Sequence, residues 1–148
     1  MYLRVEEVLL PMRFLIKTAH FIAMLTIVLS INTVVSNMTQ VDRWTATGSD
    51  LAYFNSTKKT VQGLAYAAMA CFGIEYITLF MGVTIFMTSL NGLNIMAHLV
   101  GLILIILLQT DNWSLNSFIA FFTVFNAAPA ALELIVLFFI RKFSFVKY

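Results

Sequence analysis

The sequence predicts an all-α fold: an integral membrane four-helix bundle with both termini in the cytoplasm. Three observations predict it. The composition is 61% hydrophobic and only 11% charged, with a mean hydropathy of +0.91, about half the charge of an ordinary soluble domain. Four apolar stretches fill most of the 148 residues, each near the roughly 20 residues a membrane helix needs, and no separate soluble domain fits between them. Each stretch also carries one ionisable side chain, in order His20, Glu75, His98 and Glu133. Helices running alternately up and down place those four groups in one layer, nearer the face with the chain ends. Each is costly in lipid without a partner, so the layer must face inward.

The first span is expected over residues 14–35, after an amphipathic leader in which Pro11 suits a helix start. Lys17 is read as sitting at the mouth of this span and snorkelling to the surface. A cleaved signal peptide is the competing reading, because Arg13 and Lys17 precede the apolar run. The run is longer than a signal core and is interrupted by His20, which favours a retained anchor. Residues 36–60, polar and without a clear hydrophobic period, read as the one sizeable aqueous loop. The second span follows over residues 61–87, broken only by Glu75. Ser89 to Gly92 is read as a turn, and the third span, residues 93–108, is short enough to borrow from it. Asp111 and Trp113 mark the next turn. The fourth span, residues 115–140, contains Pro129 and Glu133 and stops at Arg141-Lys142.

Basic residues choose the orientation. Arg4, Arg13, Lys17, Arg141, Lys142 and Lys147 lie toward the chain ends, against Arg43, Lys58 and Lys59 on the opposite side, which favours cytoplasmic termini. The sequons at Asn37, Asn55 and Asn112 all fall in the loops this orientation places outside, with Asn55 the best-placed glycan acceptor. Trp44 and Trp113 read as anchors at the same interface. A net charge of +2 gives no electrostatic footprint for nucleic acid. The lone Cys71 forms no intrachain disulfide and reads as a small core residue.

Helical spacing groups Asn91, Asn94, His98 and Gly101 on one face of the third helix, and Asn126, Pro129, Ala130 and Glu133 on one face of the fourth. Ala127 and Ala131 form a small-xxx-small pair for close helix approach. Pro129 frees the carbonyl of Phe125 and is expected to kink the helix. The favoured reading is structural: His20 and His98 hydrogen-bond Glu75 and Glu133 across the bundle and set helix register. A proton, ion or lipid pathway is the functional alternative. Two His and two Glu could satisfy zinc, but each comes from a different helix without a paired-ligand spacing, so neither a metal nor another cofactor is expected. Phe118, Phe121, Phe122 and Phe125 read as lipid-facing surface or a subunit contact.

An ordered series of residues resembles a known family. Arg13-Phe14-Leu15 with Ala19-His20, then Phe72 with Glu75, Gly82-Val83-Thr84 and Phe86, Ala97-His98, Trp113, and Ala128-Pro129-Ala130 with Glu133 look like the transmembrane protein 107 family of ciliary proteins. The similarity runs from Met12 to Lys142, although the first outer loop departs from the vertebrate pattern. The resemblance implies a tetraspan protein made at the endoplasmic reticulum and placed in the ciliary transition zone. There it would work in the Meckel-syndrome module with tectonic, B9-domain and other small multispan proteins, supporting cilium biogenesis and the diffusion barrier that governs ciliary membrane composition. Besides the lipid bilayer, those are the expected partners, and a non-enzymatic scaffold is the expected role. The alternative is a small lipid-modifying enzyme of the sterol-isomerase kind, shuttling protons through buried Glu and His. For a scaffold, Gln in place of Glu75 or Glu133 is expected to be tolerated, because an amide still hydrogen-bonds.

Overall fold

The computed structural model describes residues 5–82 and 87–144, and the described residues are helical with no strand. Helix α1 spans Val5–Leu29, α2 Ile31–Thr39, α3 Gly48–Phe80, α4 Thr88–Thr110, α5 Leu115–Phe122 and α6 Ala128–Ser144. A π-helical turn, Thr123–Ala127, joins the last two into one span. Four segments are long and apolar enough to cross a bilayer: Val8–Leu29, Gly48–Phe80, Thr88–Thr110 and Leu115–Ile140. Val83, Thr84 and Phe86 of the family series, and Arg4 and Lys147 of the charge count, lie outside the described residues.

Several boundaries differ from expectation, each for a local reason. Helix α1 runs through Pro11 rather than starting at it, at the loss of the bond an N–H there would give to the Glu7 carbonyl. The first span is broken near Ser30. There Ser30 Oγ donates to the Thr26 carbonyl at 2.6 Å, and Thr26 Oγ1 to the Ala23 carbonyl at 2.6 Å, a back-bonding that bends helices. The expected loop at residues 36–60 shrinks to residues 40–47, because α2 ends at Gln40 (φ 55°) and α3 begins at Gly48. Burial explains the extra helix. Phe54, Thr57 and Val61 continue the inward stripe of α3 upstream, and Val34 and Val35 of α2 join the same apolar cluster. Ser89 to Gly92 is not a turn but the first part of α4. The chain turns earlier, at Gly82, whose φ of 73° ends α3 in the left-handed region that glycine favours.

Three helices bury one continuous stripe. On α1 it is Arg13, Lys17, His20, Met24 and Ile27; on α3 Val61, Ala65, Ala68, Phe72, Glu75 and Leu79; on α4 Asn91, Asn94, His98, Gly101, Ile105 and Leu108. The steps alternate between three and four residues, the 3.5-residue repeat that lets helices wrap around one another. In the fourth span Asn126 follows Phe118 by eight positions rather than a heptad's seven, and the extra residue is absorbed by the π turn, where the Ala128 N–H donates to the Thr123 carbonyl. Helix α1 packs most extensively on α4, and α1 and the fourth span each lie between α3 and α4.

Candidate functional site

The polar layer forms where the N-terminal half of α1, the C-terminal part of α3, the start of α4 and the middle of α6 converge. Arg13, Lys17, His20, Glu75, His98 and Glu133 are each 0% exposed, and Thr78, Asn91, Asn94 and Asn126 are also buried. Glu133 is the hub. Its Oε1 accepts from Arg13 and, at 2.6 Å, from Asn94 Nδ2; Lys17 Nζ stands 3.5 Å from the same oxygen, and Thr78 Oγ1 meets Oε2. Arg13 also donates to Asn91 Oδ1. Glu75 Oε2 accepts from Lys17 Nζ at 2.9 Å and from His98 Nε2 at 2.6 Å. The chain continues from His98 Nδ1 to His20 Nδ1 at 3.0 Å.

This pairing corrects the expectation in two ways. Lys17 does not snorkel: it is wholly buried and lies against both carboxylates. Arg13, read from sequence only as a topology signal, is the partner of Glu133. The histidines therefore do not neutralise the two acids. Glu75 does bond His98, but Glu133 bonds Arg13, Thr78 and Asn94 and no histidine among the described residues. Two cations face two carboxylates, so the cluster balances with both imidazoles neutral. That balance is needed because a charge without a partner in this low-dielectric interior would cost several kcal/mol. The consequence for orientation is direct: with Arg13 and Lys17 inside the bundle, Arg4, Arg141, Lys142 and Lys147 remain to be set against Arg43, Lys58 and Lys59.

Phe72 and Gly101 shape the space around the imidazoles. Phe72 meets the His20 ring edge-on at 5.0 Å and lies 5.6 Å from the His98 ring. Gly101 lets α4 approach His20, since a Cβ there would fall 2.5 Å from His20 Cε1 and 3.1 Å from Phe125 Cβ. Of the phenylalanines expected to face lipid or a second subunit, Phe118 is instead buried, and Phe121, Phe122 and Phe125 are half-buried around a small cavity beside His20. Pro129 and Ala130 are buried as their stripe implies, whereas Ala127 is half-buried and Ala131 exposed. Cys71 is half-buried rather than in the core.

At the far end of the bundle, Asn55 is exposed on α3, Asn112 is exposed in the turn before α5, and Asn37 is half-buried on α2. Trp44 is almost fully exposed, with the Arg43 guanidinium 5.4 Å from its ring. Trp113 instead packs on Phe121 at 4.9 Å, so it belongs to the edge of the core. No group of metal-ligating side chains suited to an ion occurs among the described residues.

A family model described as a transmembrane protein, that of transmembrane protein 107, matches residues 9–137. The chain belongs to the transmembrane protein 107 family. The match spans all four membrane segments up to the last turns of α6, so Arg13, Lys17, His20, Glu75, His98 and Glu133 all fall inside the region that defines membership of the transmembrane protein 107 family. No curated protein and no solved structure matches the chain.

Proposed function

We propose that the chain is a non-enzymatic membrane scaffold of the ciliary transition zone, contributing to cilium assembly and to the gating of ciliary membrane protein composition. Family membership supports it, together with what the resemblance implies about the family. The observation that carries the non-catalytic part is the engagement of the ionisable groups in bonds between helices. Both carboxylates and both cations meet partners on other helices, and the cavity beside His20 is only about 10 Å³. Proton shuttling on a sterol needs an acid or imidazole open to a ligand tens of times larger than that space. The layer is built to hold four helices at one height.

In this reading the termini are cytoplasmic, the three sequons face outward, and the apolar helix surfaces contact lipid and other multispan, tectonic and B9-domain proteins of the transition zone. The test is placement and rescue in ciliated cells. A tagged chain is expected to concentrate at the ciliary base and to restore ciliary membrane composition in cells lacking their own family member. Uniform endoplasmic reticulum staining, with altered sterol composition on deletion, would overturn the scaffold reading in favour of the enzyme.

A further inference from the structure

The hydrogen-bond chain that begins at Glu75 does not end at His98. Glu75 Oε2 accepts from His98 Nε2 at 2.6 Å, which makes His98 Nδ1 the lone-pair acceptor of a neutral ring. That nitrogen lies 3.0 Å from His20 Nδ1, so His20 must carry its proton on Nδ1, and its Nε2 is left as a bare acceptor. The order of bonds sets both tautomers. His20 Nε2 is buried without a hydrogen-bond partner, and so is Asn126 Oδ1.

Both residues line the same cavity of about 10 Å³, otherwise closed by apolar side chains such as Met24, Leu108 and Phe122. Two acceptors cannot satisfy each other; they need a donor with two hydrogens. A space of this size takes one water and nothing larger. Gly101 is what keeps it open, because a Cβ on α4 would stand 2.9 Å from His20 Nε2.

We propose that this cavity is a built site for a single internal water molecule, donating one hydrogen to His20 Nε2 and the other to Asn126 Oδ1. The water ties α1 to the π turn of the fourth span and terminates the chain that runs from Glu75 through His98 and His20. It also gives a reason for a polar Asn126 in a turn that otherwise faces phenylalanines.

The experiment is solid-state NMR of the full chain, labelled with ¹⁵N-histidine and reconstituted in phosphatidylcholine vesicles. The expected spectrum has His20 protonated at Nδ1, His98 protonated at Nε2, and magnetisation transfer from water to His20 Nε2. That transfer is lost in Asn126→Leu, while the His98 signal of its bond to Glu75 is retained; Gly101→Ala, which fills the space, gives the same loss. Protonation of His20 at Nε2, absence of water transfer in the unsubstituted protein, or transfer undiminished in Asn126→Leu would overturn the proposal. The tautomer and transfer measurements on the unsubstituted protein decide it even where a variant fails to fold.

Discussion

The two ends of the bundle use one stripe geometry with opposite chemistry. Toward the chain ends the stripe reads Arg13, Lys17, His20, Glu75, Asn94, His98 and Glu133; toward the α4–α5 turn it reads Met24, Ile27, Val61, Ala65, Ala68, Ile105, Leu108 and Phe118. The two ends differ in what a displacement would cost. Apolar side chains in a membrane find lipid tails nearly as congenial as each other, so the apolar end gains from shape alone. At the polar end a shift of one turn would strand charges in a low-dielectric interior. We propose that register is set at the polar end and filled in at the other, with the Arg13–Glu133 pair joining two helices that each pack against both α3 and α4.

Removing one member of that pair is the most direct way to break the asymmetry. Glu133→Leu leaves Arg13 without its carboxylate and should destabilise the bundle by about 3–5 kcal/mol, read as a shift in the denaturation midpoint of protein in lipid nanodiscs. The buried cations also reverse the earlier expectation for glutamine. Glu133→Gln keeps the shape and an acceptor but removes the negative charge that balances Arg13, and should lose about 2–3 kcal/mol, nearer the leucine variant than the parent. Adding Arg13→Met to Glu133→Leu should restore most of the loss; a double variant no better than Glu133→Leu alone would show that the pair does not set register.

Leu108→Ala probes the apolar end. The expected loss is about 2 kcal/mol, the low end for such a truncation, because lipid replaces much of what a soluble core would supply. A loss as large as that of Glu133→Leu would erase the distinction between the two ends. The smallest effect belongs to Asn55→Gln, on the exposed face of α3, with stability unchanged within about 0.5 kcal/mol. Its readout is topological: expressed in cells, the parent should run one glycan step slower than the variant. Equal mobility before and after glycosidase treatment would remove the support that this sequon gives to an outward far end.

Much of this bundle was legible in sequence, since four apolar runs and period-3.5 stripes need no tertiary information. The inward faces of α4 and α6 followed from spacing alone, with Asn94, His98, Asn126 and Glu133 buried as their stripes imply. What was missed was missed by weighing residue type above position. Arg13 and Lys17 stand seven and three residues before His20, on the same face, and that spacing could have identified them as inward. Their basic character near a helix mouth pointed instead to snorkelling. The helical start of α3 was hidden for a similar reason: Asp50, Asn55, Lys58 and Lys59 suggest a loop, while Phe54, Thr57 and Val61 carry the period that packing acts on. The identity of ion-pair partners was not legible, because any cation on the shared level satisfies either acid in one dimension and only the azimuth of each helix decides.

The length of α3 has a consequence outside the bilayer. Its 33 residues make a rod of about 50 Å, against a hydrocarbon layer of about 30 Å, and no ordinary tilt hides the difference. The surplus projects as a stiff post on the side of Asn55, Lys58 and Lys59, braced at its foot by Val34 and Val35 of α2. A sugar on Asn55 would thus be held at a fixed height above the headgroups, and whatever approaches from that side meets a firm spacer instead of a slack tether.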